Sequence, residues 1–242
     1  MVRFLLNLAA FVLMVAVNAL ANIIPFNGQT TGEISNRLNV LFTPAGYVFS
    51  IWGLIYLLVG IWILRELPKK RRDLPLYTTT SGLFILSCLL NTAWIFLWHY
   101  EYFFFTVIIM VLLLLTLIKL YTRIQSVGHS FWDILPFSVY LGWISVATIA
   151  NISYVLTFYG WNGFGISDVT WTVILLLAGT FLALLIRWKN HDWVYPLVFI
   201  WAFVGIGVKN QASTPTVAYI AYGLAAVILI GIFLLRNPKR EA

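Results

Sequence analysis

Long apolar blocks separated by short polar breaks set the rhythm of this chain. Blocks of spanning length run over 4–24, 44–64, 79–98, 102–118, 135–157, 169–187, 193–208 and 216–235. A helix needs roughly 20 apolar residues to cross the hydrocarbon of a bilayer. Helices are the expected form because lipid cannot hydrogen-bond exposed backbone groups. The pattern therefore predicts an all-α, polytopic integral membrane bundle of about eight transmembrane helices. The seventh block is the shortest and carries Pro196. Turn residues fall between blocks: Pro25, Asn27 and Gly28 open the longest loop, 25–43, and Tyr159-Gly160-Trp161-Asn162-Gly163 breaks the chain after the fifth span. That break divides the chain into segments 1–158 and 159–242.

Composition agrees with this reading. Of 242 residues, 62% are hydrophobic and only 10% charged, too little polar surface for a soluble fold of this size. The start of the chain has two readings. Met1-Val2-Arg3, an apolar stretch and Ala19-Leu20-Ala21 have the outline of a signal peptide with its cleavage site. The apolar character continues through Ile23 and Ile24, which suits a retained first span better. Cleavage would leave seven spans.

The net charge of +7 suggests a nucleic-acid partner until its placement is examined. Arg3, Arg65, the run Lys69–Arg72, Lys119, Arg123, Arg187, Lys189, Arg236, Lys239 and Arg240 fall on one side of the alternating spans. Arg37 and Lys209 are the basic residues on the other. The positive-inside rule then puts both termini in the cytoplasm, in the cell membrane, and makes the basic run a topology determinant rather than a nucleic-acid site. Its secondary reading is contact with anionic lipid headgroups.

Catalytic signals are sparse. Apart from their edges, the spans hold no Asp, Glu, Lys, Arg or His, the groups that mark proton relays and coupling-ion sites. Cys88 is the sole cysteine and lies mid-span, where it reads as a small buried apolar residue. His99, His129 and His191 share no metal-ligand spacing and read as interfacial residues. His99 with Glu101, or His129 with Asp133, are the candidate acid–base pairs. No catalytic or metal-binding residue is assigned, and binding is favoured over catalysis.

The information that remains lies on helical faces. At 100° per residue, Tyr140, Trp143, Ala147 and Asn151 share one stripe of the fifth span. Span three aligns Ser87, Asn91, Trp94 and Trp98, span two Phe49, Trp52 and Tyr56, and span one Asn7, Asn18 and Asn22. Of the 11 tryptophans, Trp62, Trp98, Trp132, Trp161, Trp171, Trp188 and Trp193 read as aromatic-belt anchors. Trp52, Trp143 and Trp201 lie deeper, with Trp94 intermediate, and a deep indole N–H needs a partner. Gly46, Gly53 and Gly60 recur every seventh position and would permit close helix contact. Two uses fit these stripes. One is helix–helix packing, in which a buried Asn bond contributes about 0.6–2 kcal/mol. The other is a cavity with flat aromatic walls and a few amides that orient a guest.

Three segments on these faces resemble the tryptophan-rich sensory protein, or translocator protein, family (TspO/MBR). The first is Tyr140-Leu141-Gly142-Trp143 followed by Ala147 and Asn151. The second is Leu90-Asn91-Thr92-Ala93-Trp94. The third is Pro44, then Tyr47-Val48-Phe49, then Trp52 and Tyr56. They occur in the family's order, one per span, over residues 1–158. The resemblance implies a five-helix bundle with a ligand cavity, lidded by the loop between the first two helices; the three further spans after residue 158 lie beyond the part that resembles the family. Family members bind tetrapyrroles such as protoporphyrin and haem, some bind cholesterol and synthetic hydrophobic ligands, and they often form homodimers. By position, Trp52, Asn91, Trp143 and Ala147 would line the cavity, and Tyr140 and Asn151 would help set its walls. Phe49, Tyr56 and Trp94 join them from the same stripes. Leu117, Tyr121 and Arg123 fit a cholesterol-type pattern after the fourth span.

The expected function is a membrane binding or sensory protein for a flat hydrophobic ligand, a porphyrin or haem first among them, in contact with membrane lipid and with no nucleic acid. The alternatives are a transporter of a lipophilic solute, a porphyrin-modifying membrane enzyme, and a purely structural bundle.

Overall fold

The structure, a computed structural model, describes residues 1–235. Arg236, Lys239 and Arg240, which enter the charge argument, lie outside the described residues. The helices are α1 Val2–Ile23, α2 Thr31–Asn36, α3 Ile51–Leu64, α4 Lys69–Arg72, α5 Pro75–His99, α6 Phe103–Ser126, α7 Phe131–Phe158, α8 Asp168–Asn190, α9 Val194–Asn210 and α10 Pro215–Leu234. Short 3-10 turns cover Phe26–Gly28, Gly46–Ser50 and Gly163–Gly165. The protein is an all-α, multi-pass membrane bundle. Seven described helices are long and apolar enough to cross a bilayer, with the Gly46–Ser50 turn extending α3 into one of them. The eighth apolar helix, α9, has 17 residues, or about 26 Å of rise, at the short end for a span.

Packing separates the chain into two units, Met1–Arg37 with Trp52–Ile144, and Leu38–Ile51 with Ser145 onward. This cut differs from the sequence division at 158/159. The reason is that α7 is continuous through 144/145, and the segment 38–51 packs with α9.

In the first unit α5 is central, with α1 and α6 against it. One end of the unit is held by two buried carboxylates. Glu66, with no exposed surface, accepts from Arg3 at 2.8 Å and from Asn7 at 3.2 Å, while the Ser81 hydroxyl donates to the Asn7 carboxamide at 2.6 Å. Asp133, 3% exposed, accepts from Arg65 at 3.1 Å, Arg71 at 2.5 Å and the Ser130 hydroxyl at 2.7 Å. A buried charge needs such partners, because its desolvation is otherwise uncompensated.

The other end carries a pinned loop. Thr30 caps α2 in a reciprocal box with Glu33. His99 is fully buried: Nδ1 lies 3.2 Å from the Phe26 carbonyl and Nε2 2.9 Å from the Thr31 hydroxyl. A carbonyl only accepts, so Nδ1 donates and Nε2 accepts from Thr31. Phe26 stacks on Phe96 at 5.5 Å, and Arg37 pairs with Glu101 at 2.6 Å. The expected acid–base pairs are therefore not formed. Glu101 belongs to Arg37, Asp133 to Arg65 and Arg71, and His99 is a structural pin rather than an interfacial residue.

Two tryptophans read as belt anchors are core residues. Trp62 is fully buried among Tyr77, Phe84 and Phe137, with centroids 5.0–5.4 Å away. Trp98 is 3% exposed and donates its indole N–H to the Thr31 carbonyl at 3.4 Å. The glycine stripe also resolves differently. Gly60 meets the Phe11 ring, whereas Gly46 and Gly53 have no close neighbour where a Cβ would stand. In the cholesterol-type pattern, Leu117 and Tyr121 are buried in the fold, so they offer no lipid-facing surface.

In the second unit α10 packs on α8 and α9. The deep Trp201 finds its partner here: its N–H donates to the Val48 carbonyl at 3.1 Å. Asn210 donates to Leu41 O at 2.8 Å, Lys209 to Val40 O at 3.3 Å, and Ala45 N–H to Gly205 O at 3.1 Å. These bonds satisfy four backbone groups of the irregular segment 38–48, which lipid could not do. At the far end of α8, buried Arg187 donates to the carbonyls of Ile232 and His191, each at 2.9 Å.

Candidate functional site

The first unit assembles four of the sequence-predicted residues into one aromatic group. Trp52, in the first turn of α3, stacks on Tyr56 one turn later, with centroids 5.6 Å apart and planes at 25°. The spacing of four on a helix produces this stack. The Trp52 ring also meets two rings of α7 edge-on, Tyr140 at 5.8 Å and Trp143 at 6.4 Å. The spacing of three between Tyr140 and Trp143 puts both on the face of α7 toward α3. Edge-to-face and offset pairs of this kind contribute about 0.5–1.5 kcal/mol each beyond burial.

Polar groups sit close to the rings. Asn18 of α1 donates to the Asn91 carboxamide of α5 at 2.8 Å and also reaches the Met14 carbonyl. The Tyr140 hydroxyl lies within reach of Asn91 and 3.9 Å from the Met14 sulfur. Asn91, Tyr140 and Trp143 are buried, while Trp52 and Tyr56 are half-buried. The Tyr56 hydroxyl is shielded from solvent and has no hydrogen-bond partner. An unpaired buried hydroxyl costs on the order of 1–3 kcal/mol, so it is a group that a guest or a water would satisfy.

Across the whole chain, a family model described as TSPO-like protein matches residues 4–234. The chain belongs to the TSPO-like protein family. The match runs through α8, α9 and α10, so the three helices beyond residue 158 are matched together with the rest of this TSPO-like chain. No curated protein and no solved structure matches it.

Trp94 stacks on Trp98 at 5.1 Å and packs with Phe26 against Val17, Ala21 and Ile95, beneath the pinned loop. Phe49, Ala147 and Asn151 belong to the second unit. There Asn151 is buried, and Phe49 and Ala147 are half-buried. Asn18 was legible as part of the α1 stripe but was not assigned to the site. Its bond to Asn91 depends on which helix faces α1, and periodicity does not reveal that.

Proposed function

We propose that this TSPO-like protein binds a flat hydrophobic ligand, a tetrapyrrole such as protoporphyrin or haem, against the wall formed by Trp52, Tyr56, Tyr140 and Trp143. The observation that carries the reading is the unpaired, buried Tyr56 hydroxyl within a group of flat rings. Aromatic faces suit a macrocycle by stacking, and a lone hydroxyl suits the polar edge or propionate of such a guest. The rings lie on one another here, so a guest would part the Trp52 stack on entry. Asn91, held by Asn18, would keep Tyr140 oriented during that motion. His99 is committed to Phe26 and Thr31, so the reading requires no axial histidine and extends to metal-free porphyrin.

We further place both termini in the cytoplasm of the cell membrane, following the basic residues on that side. The ligand test is a fluorescence-quenching titration of purified protein with protoporphyrin. Saturable quenching is expected to weaken about tenfold in Trp52→Ala and in Trp143→Ala, the loss of roughly one stacking partner. Undiminished affinity in a folded double variant contradicts the assignment. Accumulation of the ligand inside proteoliposomes would extend the reading from binding to transport.

A further inference from the structure

The second unit holds a separate cavity that the aromatic wall does not use. Its volume is about 210 Å³. It is bounded by residues 39–42, the C-terminal half of α7, the turn at 161–163 and the first two turns of α8. Leu41, Phe42, Ile152, Leu156 and Leu175 make it largely apolar, and Trp161 and Trp171 add two indole faces 5.3 Å apart. A space of this size suits a guest with a single ring and a short chain.

The polar lining is rich in acceptors. Ser153 donates its hydroxyl proton to Ile149 O at 2.8 Å, Thr157 to Ser153 O at 2.9 Å, and Thr172 to Asp168 O at 2.7 Å. The Trp171 indole N–H is committed to Gly163 O at 2.9 Å. Each of these hydroxyls can therefore only accept. Asn39 adds a carboxamide that serves either role. Asp168 adds a carboxylate with no hydrogen bond or ion pair among the described residues, because the α8 cap is supplied by the Ser167 hydroxyl, which accepts from Thr170 N–H at 3.2 Å. Lys209 donates its ammonium to the Val40 carbonyl of this lining at 3.3 Å.

Acceptors, a free carboxylate and paired indoles together select a cation with protons to give. We propose that this cavity is a binding site for a small lipophilic ammonium ion. The apolar body lies among Leu41, Ile152 and Leu156, and the ammonium sits against Asp168 and the Trp161 and Trp171 rings.

The test is a ligand-observed NMR titration of nanodisc-reconstituted protein, with empty nanodiscs subtracted. The probes are 2-phenylethylammonium, its neutral counterpart 2-phenylethanol and the anion phenylacetate. The ammonium is expected to saturate and phenylacetate is not. Asp168→Asn, at an exposed position, is expected to weaken the ammonium about fivefold while leaving the alcohol within about twofold. Leu156→Trp, with its helical circular dichroism intact, is expected to abolish binding of both. Equal binding of alcohol and ammonium, an ammonium affinity unmoved by Asp168→Asn, retained binding in folded Leu156→Trp, or no saturation above empty discs would each overturn the proposal. If Leu156→Trp does not insert, Asp168→Asn decides alone.

Discussion

Gly205→Ala tests how α9 holds the segment 38–51. A Cβ at Gly205 would fall well inside van der Waals contact of the Val48 side chain and 3.2 Å from Pro44 Cβ. Val48 cannot yield easily. It is fully buried, β-branched, and its carbonyl is held by the Trp201 indole at 3.1 Å. Overpacking of this kind costs about 1–3 kcal/mol, and the contact belongs in the upper half of that range. Replacing Gly by Ala inside a helix returns up to about 1 kcal/mol. The net expectation is a loss of about 1–2 kcal/mol. Gly223→Ala in α10 supplies the control, because nothing lies within 4 Å of its Cβ and only the helix term remains. It is expected to be neutral or stabilised by up to about 1 kcal/mol. Equilibrium SDS titration followed by circular dichroism measures both. Gly205→Ala as stable as the wild type, or indistinguishable from Gly223→Ala, would refute the close approach of α9 to the 44–48 turn.

Three further predictions follow from buried or paired groups. Trp62→Ala should cost about 3–5 kcal/mol by emptying a site among three rings, whereas Trp188→Phe, at 62% exposure, should cost less than about 0.5 kcal/mol in the same SDS titration. Asn18→Ala and Asn91→Ala should be non-additive by about 0.6–1.7 kcal/mol in a double-mutant cycle, reflecting their 2.8 Å bond across α1 and α5. Glu101, hydrogen-bonded by Arg37, has its carboxyl held below the usual range. A depressed carboxyl stabilises the folded state above its unfolded pKa of about 4.3 and loses that contribution as pH falls through the folded value. Protection factors for amide exchange in the loop 25–37, taken relative to the intrinsic rate at each pH, should therefore fall on acidification below about pH 4.5, by an amount set by an exposed pair of about 0.2–1 kcal/mol, and Glu101→Gln should remove the part of that dependence that Glu33 does not supply.

The spans were legible because the bilayer imposes length and polarity on every helix at once; most observed elements fall close to the apolar blocks, whereas α6 continues past the block ending at 118 to Ser126, because its last turns leave the apolar pattern at Lys119 and Arg123 while staying helical. Trp52, Tyr56, Tyr140 and Trp143 were legible because their spacings of three and four fix the helical face. What periodicity could not supply was which faces meet. Trp62 and Trp98 sit at span ends like belt anchors, and only the rings and carbonyls of other helices make them core. The assignment of 38–51 to the second unit rests on Gly205, Trp201 and Asn210 reaching backbone carbonyls and a buried valine more than 150 residues away in sequence. His99 looked interfacial because its partners, Phe26 and Thr31, belong to a loop whose path has no periodic signal.

Whether the aromatic group of the first unit is a binding wall or packing alone is decided by Tyr56→Phe. The substitution removes a buried hydroxyl that has no partner and leaves the Trp52 stack in place. Stability without ligand and protoporphyrin affinity should be measured on the same preparation. The variant is expected to gain about 1 kcal/mol of stability while its affinity falls several-fold, because the hydroxyl is a cost in the free protein and a contact in the complex. An affinity equal to that of the wild type would contradict it, and would assign these rings to helix packing.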